Sequence, residues 1–133
     1  MTARRTFLTA AIVLAMTACS DSTGPESIDI RGDWSGSVAL PNGFSSSADF
    51  QQSGNGVSGT MTISGSFVNR PVTGQIDPSE RTLEWSVFVD CEEWTGTLGI
   101  NAAETEMAGT VRRDGSGCVP EVSNVNGTMQ LTR

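Results

Sequence analysis

The pentad "WTGTL" at residues 94–98 decides the reading of this chain, because its pattern occurs six times. The other copies are "WSGSV" (34–38), "VSGTM" (57–61), "VTGQI" (72–76), "MAGTV" (107–111) and "VNGTM" (125–129). Each runs apolar, polar or small, glycine, polar, apolar. In a strand, successive side chains point to opposite faces, so the glycine and both apolar residues share one face. The polar residues take the other, and each pentad is expected to form a half-buried strand. "LEWSVFVDC" (83–91) alternates in the same way. It sets Leu83, Trp85, Val87 and Val89 against Glu84, Ser86 and Asp90, with Phe88 the apolar exception on the outer side. "FSSSADF" (44–50), with Phe44, Ala48 and Phe50 in phase, supplies an eighth strand.

Short turn signals separate these runs: "PNG" (41–43), "SGNG" (53–56), "DPSER" (77–81) and "NAAETE" (101–106). Asn55-Gly56 suits a type I′ hairpin, and Asp77-Pro78 favours the start of a turn. Connections this short join antiparallel neighbours, since a parallel crossover needs a dozen residues or more. Eight antiparallel strands in chain order, each with one apolar face, are best satisfied by an up-and-down barrel, because closure removes both exposed edges. A two-sheet β-sandwich is the alternative.

"GDWSGSV", "VSGTMTI", "VTGQID", "LEWSVFVD" and "EWTGTLGI" resemble successive strands of the avidin-type barrel. "GDW" (32–34) resembles the Gly-x-Trp near the start of lipocalins. The likeness covers roughly residues 32 to 111 and implies a calycin-like architecture. It does not imply the avidin ligand: Met61 stands where avidins carry the tyrosine that holds the biotin ureido oxygen, and the chain has no tyrosine.

Glycine inside a strand marks close approach by another group. In one reading Trp34, Trp85 and Trp94 lie across the six inward glycines and fill the barrel, which is the default. In the other, the missing side chains open a small apolar cavity walled by Trp85, Trp94, Met61 and Leu98, which would then bind an apolar ligand.

Cys91 ends the fifth expected strand, and Cys118 lies in "RDGSGCVPEVSN" (113–124), the longest loop. In a meander all odd-numbered strands finish at the same end, so this loop can arch back to Cys91. An exported chain meets an oxidising compartment, and a Cys91–Cys118 disulfide is expected. No metal or cofactor is expected: the chain has no histidine, and "DGSG" (114–117) lacks the carboxylate spacing of a calcium loop.

The first residues give an address. "MTARRTF" is basic, Phe7 to Ala18 is apolar apart from two threonines, and the run is too short to span a bilayer. That is the pattern of a secretory signal over residues 1–18. "MTAC" (16–19) resembles a bacterial lipobox, which implies that Cys19 is lipidated and becomes the first residue of the mature protein. An ordinary signal peptide cut near Ala18 is the alternative. "RRTFL" (4–8) also resembles the twin-arginine signature, so the export route stays open. Residues 19–27 then form a tether, and 28–133 a single β-barrel domain. The tether of about eight residues reaches at most ~28 Å. Ile28 should enter the barrel opposite the disulfide, so the mouth beside the disulfide should face away from the membrane. By analogy with other lipoproteins, Ser20 directly after the cysteine, with Asp21 only after it, favours the outer membrane of a bacterial envelope.

Charge and composition narrow the function classes. Removing Arg4 and Arg5 takes the formal charge from −7 to −9, and the chain has no lysine. Binding to nucleic acid or to anionic lipid headgroups needs cationic side chains, so neither is expected. Without histidine, lysine or tyrosine, Ser–His and Cys–His nucleophiles and Schiff-base chemistry are excluded. Acid–base work falls to carboxylates: Glu92 with Glu93, Glu104 with Glu106, or Asp90 with Glu92. All sit in short turns, where acids are ordinarily solvated. The expected protein is a lipid-anchored, non-enzymatic envelope lipoprotein, an interaction or structural module that meets another envelope protein. The alternative is a binder of a small apolar ligand in the barrel interior or mouth. An inward polar cluster would favour the ligand binder; a filled core with exposed Phe67 and Phe88 would favour the interaction module.

Overall fold

Strands form where the alternation is strongest and extend it at both ends. The computed structural model describes residues 27–120 and 122–133. The strands are β1 (Gly32–Leu40), β2 (Asn42–Ser53), β3 (Gly56–Ile63), β4 (Phe67–Asp77), β5 (Thr82–Val89), β6 (Glu92–Ile100), β7 (Glu106–Gly115) and β8 (Val122–Thr132). Each is antiparallel to its chain neighbour, and β1 pairs with β8 from Ser35↔Thr132 to Ala39↔Thr128. The result is a closed eight-stranded up-and-down barrel with no helix among the described residues. The expected barrel is observed and the sandwich is not. Closure leaves every strand paired on both sides, so the barrel offers no free sheet edge.

The turns follow side-chain chemistry with one shift. The Asp77 carboxylate accepts hydrogen bonds from the Ser79 N–H (3.0 Å) and hydroxyl (2.6 Å), which starts the β4–β5 turn. The β2–β3 hairpin is tight, but its two loop residues are Gly54 and Asn55 rather than Asn55 and Gly56. Gly56 pairs with Ser53, and Gly54 takes the positive φ of 59° that the turn requires.

The inward positions of all eight strands make one core, which includes Trp34, Phe50, Met61, Leu83, Trp94 and Leu131. The six pentad glycines face this core, and their physical reason is local. A Cβ on Gly36 would land on the main-chain oxygen of Gln130, and one on Gly59 on that of Asp49. Gly109 stands in the same relation to Thr97, and Gly127 to Ala39. At Gly74 the obstacle is the Glu84 oxygen, 2.6 Å away. Only Gly96 is covered by a tryptophan, the Trp85 indole. At five positions, then, neither a tryptophan lid nor a cavity explains the glycine. There the neighbouring strand passes too close for any side chain, as sharp coiling in a small barrel demands.

The end opposite the disulfide is plugged by the segment before β1. Ile28 and Ile30 are buried. The Gln52 carboxamide accepts from the Ile30 N–H (3.0 Å) and donates to the Ile28 oxygen (2.6 Å). Trp34 donates its indole N–H to the Ile30 oxygen at 2.8 Å. Arg133, the last residue of the sequence, lies 4.7 Å from the Trp34 ring centroid and donates to the Asp29 and Arg31 oxygens, each at 2.8 Å. The chain therefore enters at the plugged end, with the disulfide at the other, as the meander requires. Residues 1–26, with the signal segment, Cys19 and nearly all of the tether, lie outside the described residues.

Candidate functional site

The four residues expected to wall a cavity are core residues. Trp85 is 3% exposed, Trp94 2%, Met61 1% and Leu98 0%. Trp85 lies against Gly96 and takes the space that the glycine leaves. Its indole N–H is buried without a partner among the described residues.

At the opposite end Cys91 and Cys118 form a disulfide. It joins the β5–β6 turn to the β7–β8 loop and closes a 27-residue stretch. Just inside this mouth lies a polar cluster that the sequence reading did not single out. The register pairs Trp94 with Arg113, and strand alternation turns Glu92 inward in phase with Trp94. The Arg113 guanidinium carbon lies 5.9 Å from the Trp94 ring centroid, and Arg113 Nε is 3.9 Å from Glu92 Oε1. Trp94 Nε1 donates to Glu92 Oε2 at 3.3 Å, and Phe67 meets Trp94 edge-on at 5.3 Å. Phe67 is therefore buried, so it does not supply the exposed ring that would favour the interaction module, because the Trp94 indole is its apolar partner. Phe88 is 65% exposed, as the alternation requires. Both members of the loose Glu92–Arg113 pair contact Trp94, and Arg113 Nε is buried without a hydrogen-bond partner among the described residues.

Strand alternation separates Glu92 from Glu93. Glu92 points into the mouth while Glu93 takes the outer phase of the same strand. Asp90 (φ 55°) and Glu104 (φ 57°) occupy turn positions. No metal-ligating cluster occurs among the described residues. "DGSG" is a turn in which Asp114 accepts the Ser116 N–H at 2.9 Å.

An open depression of about 750 Å³ lies on the outside of β4–β8. A belt of inward-facing positions runs beneath it. The register sets Gly74, Trp85, Gly96, Val111 and Gly127 side by side around the barrel. Three of these five are glycines, and they lie among the lining residues of the floor. On either side of the floor runs a row of outward polar residues. One row is Thr73, Ser86, Thr95, Arg112 and Asn126. The other is Gln75, Glu84, Thr97, Thr110 and Thr128. Strands are spaced about 4.8 Å apart, so each row spans roughly 19 Å. Within the rows, only Thr73 and Ser86 hydrogen-bond one another (3.3 Å), and Arg112 pairs loosely with Asp114 at 3.8 Å. The remaining donors and acceptors face outward. A smaller depression of about 450 Å³ lies on β1–β4, beside Asp33, Asp49 and Thr60.

Comparison with known proteins yields no match: no family model, no curated protein and no solved structure is similar to this chain.

Proposed function

We propose that this chain is an envelope lipoprotein, held to the membrane by lipid on Cys19, whose barrel is a non-enzymatic interaction module that works through its outer surface. The filled interior carries this reading: Trp85, Trp94, Met61 and Leu98, the only candidate cavity wall, are spent on the core. A closed sheet with a packed centre has only its outer face and loops left to offer a partner. The signal-like start and "MTAC" support the anchor, and entry of the chain at the plugged end supports a mouth directed away from the membrane. An outer-membrane address fits Ser20, rather than an acid, directly after the cysteine. The second reading, a small apolar ligand inside the barrel, requires displacing at least one tryptophan. The inward Glu92–Arg113 pair favours a ligand at the mouth, but these two groups already face each other.

Metabolic labelling with a fatty acid and detergent phase partitioning test the anchor. The wild-type chain is expected to carry label and enter the detergent phase, and Cys19→Ser to do neither. Recovery of unlabelled wild-type protein in the aqueous phase would contradict the anchor.

A further inference from the structure

We propose that the depression on the outside of β4–β8 is a binding site for an uncharged oligosaccharide, lying along the glycine floor between the two polar rows. This rests on the outer-surface reading above and names its partner class.

The shape comes first. A small barrel is convex on the outside, yet here a depression opens over five strands where three inward glycines share one circumferential belt. The chemistry of the rows selects the occupant. Threonine and serine hydroxyls each donate and accept, as sugar hydroxyls do, so pairs form in either sense. Threonine is stiff at χ1, so Thr73, Thr95, Thr97 and Thr110 lose little freedom on binding. Their methyl groups offer apolar contact to the C–H faces of a sugar ring. Glu84 and Arg112, one charge of each sign, leave the depression neutral within an acidic chain. A polyanion is disfavoured by the overall charge of −7, and an apolar ligand by the rows of hydroxyls. An extended peptide would need a free strand edge, and the closed barrel has none. One outward step from Ser86 along β5, beside the row, stands Phe88, an exposed aromatic. The negative face of its ring is suited to the C–H groups of a sugar lying across that side of the row.

The test is calorimetric titration of the full chain, in a detergent without sugar headgroups, with chitohexaose, cellohexaose and maltohexaose. At least one is expected to bind at millimolar concentration or below. Thr95→Val/Thr97→Val keeps shape and strand propensity but removes two hydroxyls, and should weaken binding about tenfold or more while leaving the melting temperature unchanged. Phe88→Ala should weaken it too. Thr60→Val, in the smaller depression, should bind as wild type does. Failure of all three sugars to bind would overturn the proposal, as would binding that Thr60→Val abolishes and Thr95→Val/Thr97→Val does not. Either failure leaves fatty-acid labelling of Cys19 untouched, whereas unlabelled protein would sink the anchor and leave this titration intact.

Discussion

Gly109→Ala adds one methyl group to the inner face of β7 and should have an effect far beyond its size. The new Cβ would meet the Thr97 main-chain oxygen head-on and come within 3.0 Å of the Leu98 Cα. These are backbone atoms of the paired strand, so no side chain can rotate away. β6 and β7 must part locally, straining the Thr97↔Thr110 and Leu98↔Gly109 region of the ladder. Overpacking of a core by a methyl group typically costs about 1–3 kcal/mol, and a backbone obstacle puts this variant at the upper end. In a domain of this size about 3 kcal/mol lowers the melting temperature by roughly 10 °C or more. Gly99→Ala is the control, one strand over and facing outward. Its Cβ would have only the Ala108 oxygen near it, in ordinary contact at 3.6 Å. Restricting the unfolded chain there should leave stability level or raise it by about 0.4–1 kcal/mol. Chemical denaturation of both variants gives the comparison. Equal stability of Gly109→Ala and wild type would refute the claim that close strand approach explains the inward glycines.

Arg133→Ala removes the clamp on the plug and should destabilise by about 1–2 kcal/mol. Hydrogen exchange would show it first at the Ile30 amide, which Gln52 holds, and unchanged exchange there would contradict a clamping role. Reducing Cys91–Cys118, or replacing both cysteines with serine, should cost roughly 3–4 kcal/mol for a 27-residue closure, read as a lower melting temperature without loss of the barrel signal. Acid dependence follows from three carboxyls held below their ordinary value. Asp29 is lowered by the Arg31 side chain and then its N–H, Asp77 by the Ser79 hydroxyl and the Glu80 N–H, and Asp114 by the Ser116 side chain and N–H. A depressed pKa contributes stability that is fully present above the unfolded value near 4 and is lost as pH falls through the folded one. The melting temperature should therefore be level from about pH 5 to 8 and decline below about pH 4, and a decline centred near pH 6 would contradict this assignment.

Strand number, order, direction and closure were legible because the pentad states the pleat explicitly. "VTGQI" or "WTGTL" puts its apolar ends inside and its polar flanks outside whatever lies beside it. The disulfide was legible because chain order alone places Cys91 and Cys118 at one end of a meander. What the six glycines meet was not legible. A collision between Gly36 and Gln130, or Gly127 and Ala39, depends on cross-strand register, and the sequence carries no local mark of it. The plug escaped for the same reason, since Arg133 and Asp29 are 104 residues apart. Glu92 was read as a solvated turn acid, but β6 begins at that residue and turns it into the mouth. The outer depression was present in the sequence in disguise. The polar residues flanking Gly74, Gly96 and Gly127 are part of its two walls, and only the register shows that five strands align the rows.

The most direct test of a filled barrel is titration of the full chain with an uncharged apolar fluorophore such as Nile red, followed by tryptophan emission. With Trp85 against Gly96 and Trp94 packed on Phe67 and Arg113, both indoles are already covered, so emission should stay unquenched to the solubility limit of the dye. Saturable quenching that Gly96→Val abolishes, in a variant as stable as wild type, would contradict the filled interior.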